Sequence, residues 1–247
     1  MADWCLLVID NTSHLVNLDL KIIDIKKFGS FPSDFLKKQE LGVSFDLFGK
    51  KSVLLPHSLP DIQKNLVRGP QIILPKDIAW LVYSSDIKSN DVVVEAGGGS
   101  GALTTALAQA AFPNGKIITF ERSKKHFEIV KRNLEMSHFS SQVELRNEDL
   151  TDETQPISCN SIILDLPDPQ LLINWAEKSL LLGGKLSCYI PTINQVEDLL
   201  SSLSNWSEIE INEMMHRKWQ SKIDAIRPET NMLGHTGFIV SARLLNK

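Results

Sequence analysis

Beyond Asn90 the chain alternates short apolar β-runs with amphipathic helical stretches, and this alternation constrains the fold more than any other feature. The runs are "DVVVEA", "KIITFE", "QVELR", "SIILDLP" and "GKLSCYI", and helical patterns begin at Gly101, Ser123 and Pro169. Strands that are apolar on both faces need helices on both sides, so the pattern predicts an α/β fold with a parallel, doubly wound sheet. The tail breaks the alternation. "EIEINEMMHRKWQ" and "TGFIVSARLL" read as two β-runs without a long helix between them, which predicts a closing antiparallel hairpin.

The first 60 residues have a different texture. "CLLVID", "LVNLDLKIIDI", "GVSFDLFG" and "SVLLP" are short β-runs broken by Asn11, Gly29, Gly42 and Gly49, a spacing that predicts a small sheet or barrel. From Ser58 the pattern changes, and Pro75 precedes a helical stretch carrying Ile78, Leu81 and Val82. The expected division is a small N-terminal β-domain over residues 1–60 and a catalytic domain over 61–247.

No apolar run approaches the ~18 residues of a spanning helix. The N-terminus "MADWCLLVID" has neither the basic start nor the cleavage site of a secretory signal, so the expected location is the cytoplasm. Cys5, Cys159 and Cys188 are odd in number and lack CxxC spacing, which points to buried thiols and to neither a disulfide framework nor a metal site. A net charge of -4 gives no global attraction to nucleic acid; a polyanion would have to be held by local basic runs such as Lys26–Lys27, Lys37–Lys38, Lys124–Lys125 and His216–Lys218.

In an open α/β sheet ligands bind beyond the carboxyl ends of the strands, and Gly97, Gly99 and Gly101 of "EAGGGSGA" stand at such a place. With Ala102 the loop also fits a dinucleotide fingerprint, so the glycines leave NAD and other adenosine cofactors open. Glu121 ends the second strand 20 residues after Gly101, where a carboxylate can accept both hydroxyls of a ribose. Glu148 and Asp149 follow the third strand and could accept from an adenine amine, or be a solvated acidic loop. Asp165 follows the apolar run "SIIL" and points to the same crevice, whereas Asp168 is better placed to cap a helix starting at Pro169.

These motifs resemble a class I S-adenosylmethionine-dependent methyltransferase. Three distant blocks, "RGPQIILPKD" from Arg68, "ILDLPDP" from Ile163 and "RPETNMLGHTGFIVSARLL" from Arg227, resemble more narrowly the tRNA adenine-N1 methyltransferase family, which modifies T-loop adenosine 58. The resemblance implies a Rossmann-like seven-stranded sheet, a small N-terminal β-domain, a cytosolic homotetramer and S-adenosylmethionine as donor. It implies that Glu95, Gly97, Gly99, Ser100, Gly101, Leu103, Glu121, Arg122 and Asp149 serve the cofactor, with Gln71 near its methionine end and Asp165 at the methyl-transfer centre. Leu74, Pro167, Arg227, Thr230 and His235 fall on the substrate side. The chain departs from the family pattern at Leu74 and Gln170, where an aromatic residue or histidine is common, and at Gly98, where threonine is common. Competing readings are a protein-L-isoaspartate O-methyltransferase, an NAD-dependent dehydrogenase and a non-catalytic tRNA-binding subunit. The first two do not account for "GHTGF" and "DLPDP", and an intact glycine loop argues against the third.

Overall fold

The computed structural model describes residues 3–67, 69 and 71–245. Arg68 and Pro70 of the "RGPQIILPKD" block lie outside the described residues. The chain forms two compact units, Met1–Val67 with Arg132–His138, and Arg68–Lys131 with Phe139–Lys247.

In the first unit, strands β1 (Trp4–Ile9), β2 (Thr12–Asn17), β3 (Ile22–Ile25) and β4 (Gly29–Pro32) precede helix α1 (Ser33–Lys37), strands β5 (Ser44–Leu47) and β6 (Lys50–Leu55), and helix α2 (Leu59–Asn65). Four strands pair antiparallel in the order β2-β1-β6-β5, and β3 and β4 make a separate hairpin. The turns are written in the sequence. Asp10 and Asn11 (φ 46° and 67°) and Phe48 and Gly49 (φ 58° and 71°) take the left-handed conformation that a two-residue hairpin needs. Leu7, Ile9 and Leu36 are fully buried beneath them. His57 ties this unit together, with Nδ1 against the Trp4 carbonyl at 2.9 Å and Nε2 against the Met136 carbonyl at 2.8 Å. The capping pair of α2, in which the Ser58 N–H donates to the Asp61 carboxylate at 2.9 Å, marks a helix start that the apolar pattern alone does not reveal.

The second unit runs α3 (Pro75–Ser84), β7 (Val92–Ala96), α4 (Ala102–Ala110), β8 (Lys116–Phe120), α5 (Lys124–Leu134), β9 (Val143–Arg146), β10 (Cys159–Leu164), α6 (Ile173–Ser179), β11 (Leu180–Ile190), α7 (Ile193–Ser202), β12 (Trp206–Asn212), β13 (Trp219–Gln220), β14 (Arg227–Pro228) and β15 (Phe238–Leu244). Its seven-stranded sheet has the order β12-β15-β11-β10-β7-β8-β9, the seven strands that the resemblance implies. β7 to β11 are mutually parallel, while β15 runs antiparallel between β11 and β12 as the closing hairpin requires. Val94, Ala96, Ile162 and Leu164 face one layer around the fully buried Trp175 of α6. The opposite residues of β7, Val93 and Glu95, turn toward the other face, where the Thr104 hydroxyl of α4 reaches Glu95.

The structure differs from expectation in two elements of this unit. The run "EIEINEMMHRKWQ" is a strand only to Asn212; the chain then leaves the sheet and forms the small β13–β14 hairpin before returning at β15. Its side chains explain this, because Met215, Trp219, Ile223 and Ile226 are exposed and give no buried face to hold a longer strand. Helix α7 was not expected, since "INQVEDLLSS" buries only Val196 and Leu199 and shows a narrow apolar stripe. Cys5, Cys159 and Cys188 are buried and none of them is in a disulfide among the described residues. Among the described residues no helix is long and apolar enough to cross a membrane.

Candidate active site

Strand order reverses between β7 and β10, which are hydrogen-bonded neighbours although β8 and β9 come between them in sequence. Ligands of open α/β folds bind at such a reversal, beyond the carboxyl ends of the strands. Ala96 pairs with Leu164, so the next residues, Gly97 and Asp165, leave the sheet side by side. The Asp165 N–H donates to the Ala96 carbonyl at 2.9 Å. A Cβ on Gly97 would lie 2.2 Å from the Asp165 carbonyl oxygen, and Gly97 has φ +94°; only glycine permits this approach. The glycine turn and the candidate catalytic carboxylate are thus one structure.

A cavity of about 300 Å³ opens there. Of the residues expected at the cofactor, Gln71, Gly97, Gly99, Glu121, Arg122, Asp149 and Asp165 line it, and Pro167 from the expected substrate set joins them. Ala96, Phe120, His126, Glu148, Leu150 and Leu166 complete the wall. Glu121 is held rigidly: one carboxylate oxygen accepts from the Gly99 N–H and the other from the Ser123 N–H, both at 2.8 Å. Each oxygen keeps acceptor capacity. The Asn147 amide donates to the Glu121 carbonyl at 2.7 Å and fixes the strand end. Arg122 and Asp149 approach to 4.0 Å as an exposed pair. His126, which no sequence pattern had singled out, stands 4.0 Å from the Glu121 carboxylate.

Asp165 is mostly buried, and burial first, then the charge of Glu121, pushes its carboxyl up to about 7 from the usual 3.8. Such a group changes protonation state near neutral pH, as a proton-transfer group must.

Other expected residues lie elsewhere. Glu95, Ser100, Gly101 and Leu103 do not line this cavity. Gly101 (φ +77°) is the left-handed residue that starts α4, and Leu103 is buried in that helix. Glu95 is buried behind the loop, with one oxygen accepting from the Thr104 and Thr119 hydroxyls, both at 2.7 Å. Its other oxygen is buried without a hydrogen-bond partner, and burial raises its carboxyl to about 7. Gly98 also has a local reason. A Cβ there would meet Thr119 Cγ2 at 2.9 Å, so the common threonine would crowd this chain's Thr119.

On the substrate side, Leu74 lines a second cavity of about 410 Å³ with Lys76, His216, Lys218, Met232 and Leu233. Arg227 lies in β14, where its Nε donates to Gln220 at 3.3 Å, and Thr230 is exposed nearby. His235 is braced by the Glu213 carboxylate at Nδ1 and by the Pro191 carbonyl at Nε2, 3.0 Å away. The Glu213 contact first, then the carbonyl, holds its pKa above the ordinary histidine value. Gln170 is half-buried and donates weakly to Asp168 at 3.4 Å. Asp168 makes no side-chain cap bond; the turn it precedes is a 3₁₀ segment, Pro169–Leu172.

The chain is similar to known proteins. The tRNA (adenine(57)-N(1)/adenine(58)-N(1))-methyltransferase of Methanocaldococcus jannaschii is 30% identical over 225 residues, covering 79% of this chain and 79% of that protein. Two crystal structures match at 26% identity and over 100% of this chain. One is the tRNA (m1A58) methyltransferase of Aquifex aeolicus, with a TM-score of 0.80 and 98% of that chain covered. The other is a SAM-dependent O-methyltransferase of Thermotoga maritima, with a TM-score of 0.86 and 94% covered. The family model described as "tRNA methyltransferase complex GCD14 subunit" matches residues 60–227, from the start of α2 through the glycine loop and Asp165 to β14. The chain belongs to that tRNA methyltransferase family.

Proposed function

We propose that this chain transfers a methyl group from S-adenosylmethionine to N1 of adenosine 58 in the T-loop of tRNA, with adenosine 57 as the other candidate acceptor. The observation that carries the reading is the juxtaposition of Asp165, poised near pKa 7, with Gly97 and Glu121 in one cavity. The family supports it, as do the named activities of the Methanocaldococcus and Aquifex relatives.

The cavity suits the donor. Gly97 offers bare backbone where a side chain would collide, and Glu121 presents two fixed oxygens that fit the paired hydroxyls of a ribose. Asp149 and Glu148 on its wall would accept from an adenine amine, and Gln71 lines the same cavity. When bound, the donor supplies a methyl group already activated by its sulfonium. The protein's share is alignment, exclusion of water and proton management.

Adenine N1 is engaged in base pairing or tertiary contacts, so the base must be extruded to reach the cavity. As the new N1–methyl bond forms and the sulfur–methyl bond breaks, positive charge spreads onto the base. Asp165, increasingly ionised as pH rises through 7, stabilises that charge and accepts a proton from the exocyclic amine, then releases it to solvent. Its partial burial strengthens both effects. By the same reading the enzyme works as a cytosolic homotetramer, which sedimentation of the purified chain tests.

Mass-spectrometric mapping of unmodified tRNA after incubation with protein and donor tests the activity. The expected product is 1-methyladenosine at position 58 or 57; methylation of peptide, or of an RNA hydroxyl, in its place would overturn the reading.

A further inference from the structure

We propose that Lys76, Asp77 and Thr236 form a positioning lock that holds the acceptor-side wall of the active site in register with Asp165. The proposal rests on the tRNA-methylation reading above.

Asp77 lies in the first turn of α3 and is fully buried, and the Lys76 side chain is only 11% exposed. The Lys76 ammonium donates to one Asp77 oxygen at 2.7 Å and to the Thr236 hydroxyl at 2.5 Å. The Thr236 hydroxyl donates in turn to the other Asp77 oxygen at 2.9 Å. This closed triangle joins the start of α3 to a segment 159 residues away. A buried ion pair is a poor way to gain stability, because apolar residues of similar volume hold a loop as well or better. What it provides is a single hydrogen-bonded register.

That register is passed toward Asp165. The Tyr189 hydroxyl, near the carboxyl end of β11, donates to the Thr236 carbonyl at 2.8 Å. A Cβ on Gly237 would meet the Tyr189 ring at 2.7 Å, so only glycine lets the chain pass this close to the phenol. Leu164 of β10 pairs with Cys188 of β11, so Asp165 and Tyr189 are the next residues along adjoining parallel strands. The lock also joins both sides of the second cavity, since Leu74 and Lys76 form one side and Asn231, Met232 and Leu233 the other. None of the three residues of the lock lines the cavity that holds Glu121 and Asp165, so the donor contacts are separate from it.

Thr236→Val keeps the shape and removes the hydroxyl; Thr236→Ser keeps the hydroxyl. In the full chain, Thr236→Val should leave donor affinity within twofold and lower kcat at saturating tRNA tenfold or more, with Thr236→Ser keeping at least half of kcat. A Thr236→Val enzyme with kcat within twofold of the parent, or a serine variant as impaired as the valine one, would overturn the lock. The double variant Lys76→Met with Asp77→Asn replaces the buried pair by neutral groups and should show the same kcat loss if Thr236→Val does not fold. Should the parent methylate no tRNA, the functional reading fails and the lock is judged by hydrogen exchange. Amides of residues 234–237 should then exchange at least tenfold faster in Thr236→Val, and unchanged exchange overturns it.

Discussion

Replacing Asp165 by asparagine should abolish methyl transfer and stabilise the fold. The buried carboxyl has its pKa lifted from 3.8 to about 7, so above pH 7 the folded protein carries a charge that the unfolded chain accommodates more easily. The sign follows from proton counting. Below pH 4 both states are protonated and there is no penalty; between 4 and 7 the unfolded state loses its proton first, and stability falls as pH rises; above 7 the penalty is complete. Such a displacement corresponds to roughly 4 kcal/mol at full strength. Asp165 is not fully buried, so solvent screens part of this penalty, and a gain of about 1–2 kcal/mol for Asp165→Asn at pH 8 is the expectation. In a chain of this size that is roughly 2–8 °C in Tm. Thermal melts of both proteins at pH 8 and pH 5.5 read it directly, with the difference at pH 5.5 about half that at pH 8. A variant no more stable than the parent at pH 8, with a pH-independent difference, would refute a strained, function-directed carboxyl at this position.

Other consequences are simpler to state. Gly97→Ala should cost roughly 2–4 kcal/mol and weaken donor binding, because the new methyl group meets the Asp165 backbone and the residue keeps a left-handed φ; melts and calorimetric titration with S-adenosylhomocysteine measure both. Glu121→Gln should lower affinity for the same ligand tenfold or more with the fold intact, since an amide cannot accept from both the Gly99 and Ser123 N–H groups. His57→Ala should destabilise the first unit by roughly 2 kcal/mol, by stripping the Trp4 and Met136 carbonyls of their partner, while leaving the affinity for S-adenosylhomocysteine unchanged.

The central sheet was legible because parallel strands, covered on both faces, leave continuous apolar runs such as those of β7, β8 and β10. Gly97, Glu121 and Asp165 were legible for a related reason: each directly follows such a run, and strand ends converge on one crevice. Glu95 also ends a run, but the two-residue period turns it toward α4, away from the cavity. Leu74 was expected on the substrate side and Gln71 at the cofactor, and although both come from one short block they line different cavities. The Lys76–Asp77–Thr236 triangle left no local trace, since Thr236 lies 159 residues beyond Asp77 and the three carry no periodic pattern. Excursions such as residues 213–237 are the least legible, because exposed apolar residues there mimic a strand whose buried face does not exist.

The most direct test of the account is the pH dependence of 1-methyladenosine formation at adenosine 58 by the parent enzyme, set beside Asp165→Asn. The account predicts a rate that rises with pH through a midpoint near 7, and an asparagine variant that binds donor normally but forms product orders of magnitude more slowly at every pH. Near-parental turnover by the variant, or a rate that is flat from pH 5.5 to 8.5, would contradict it.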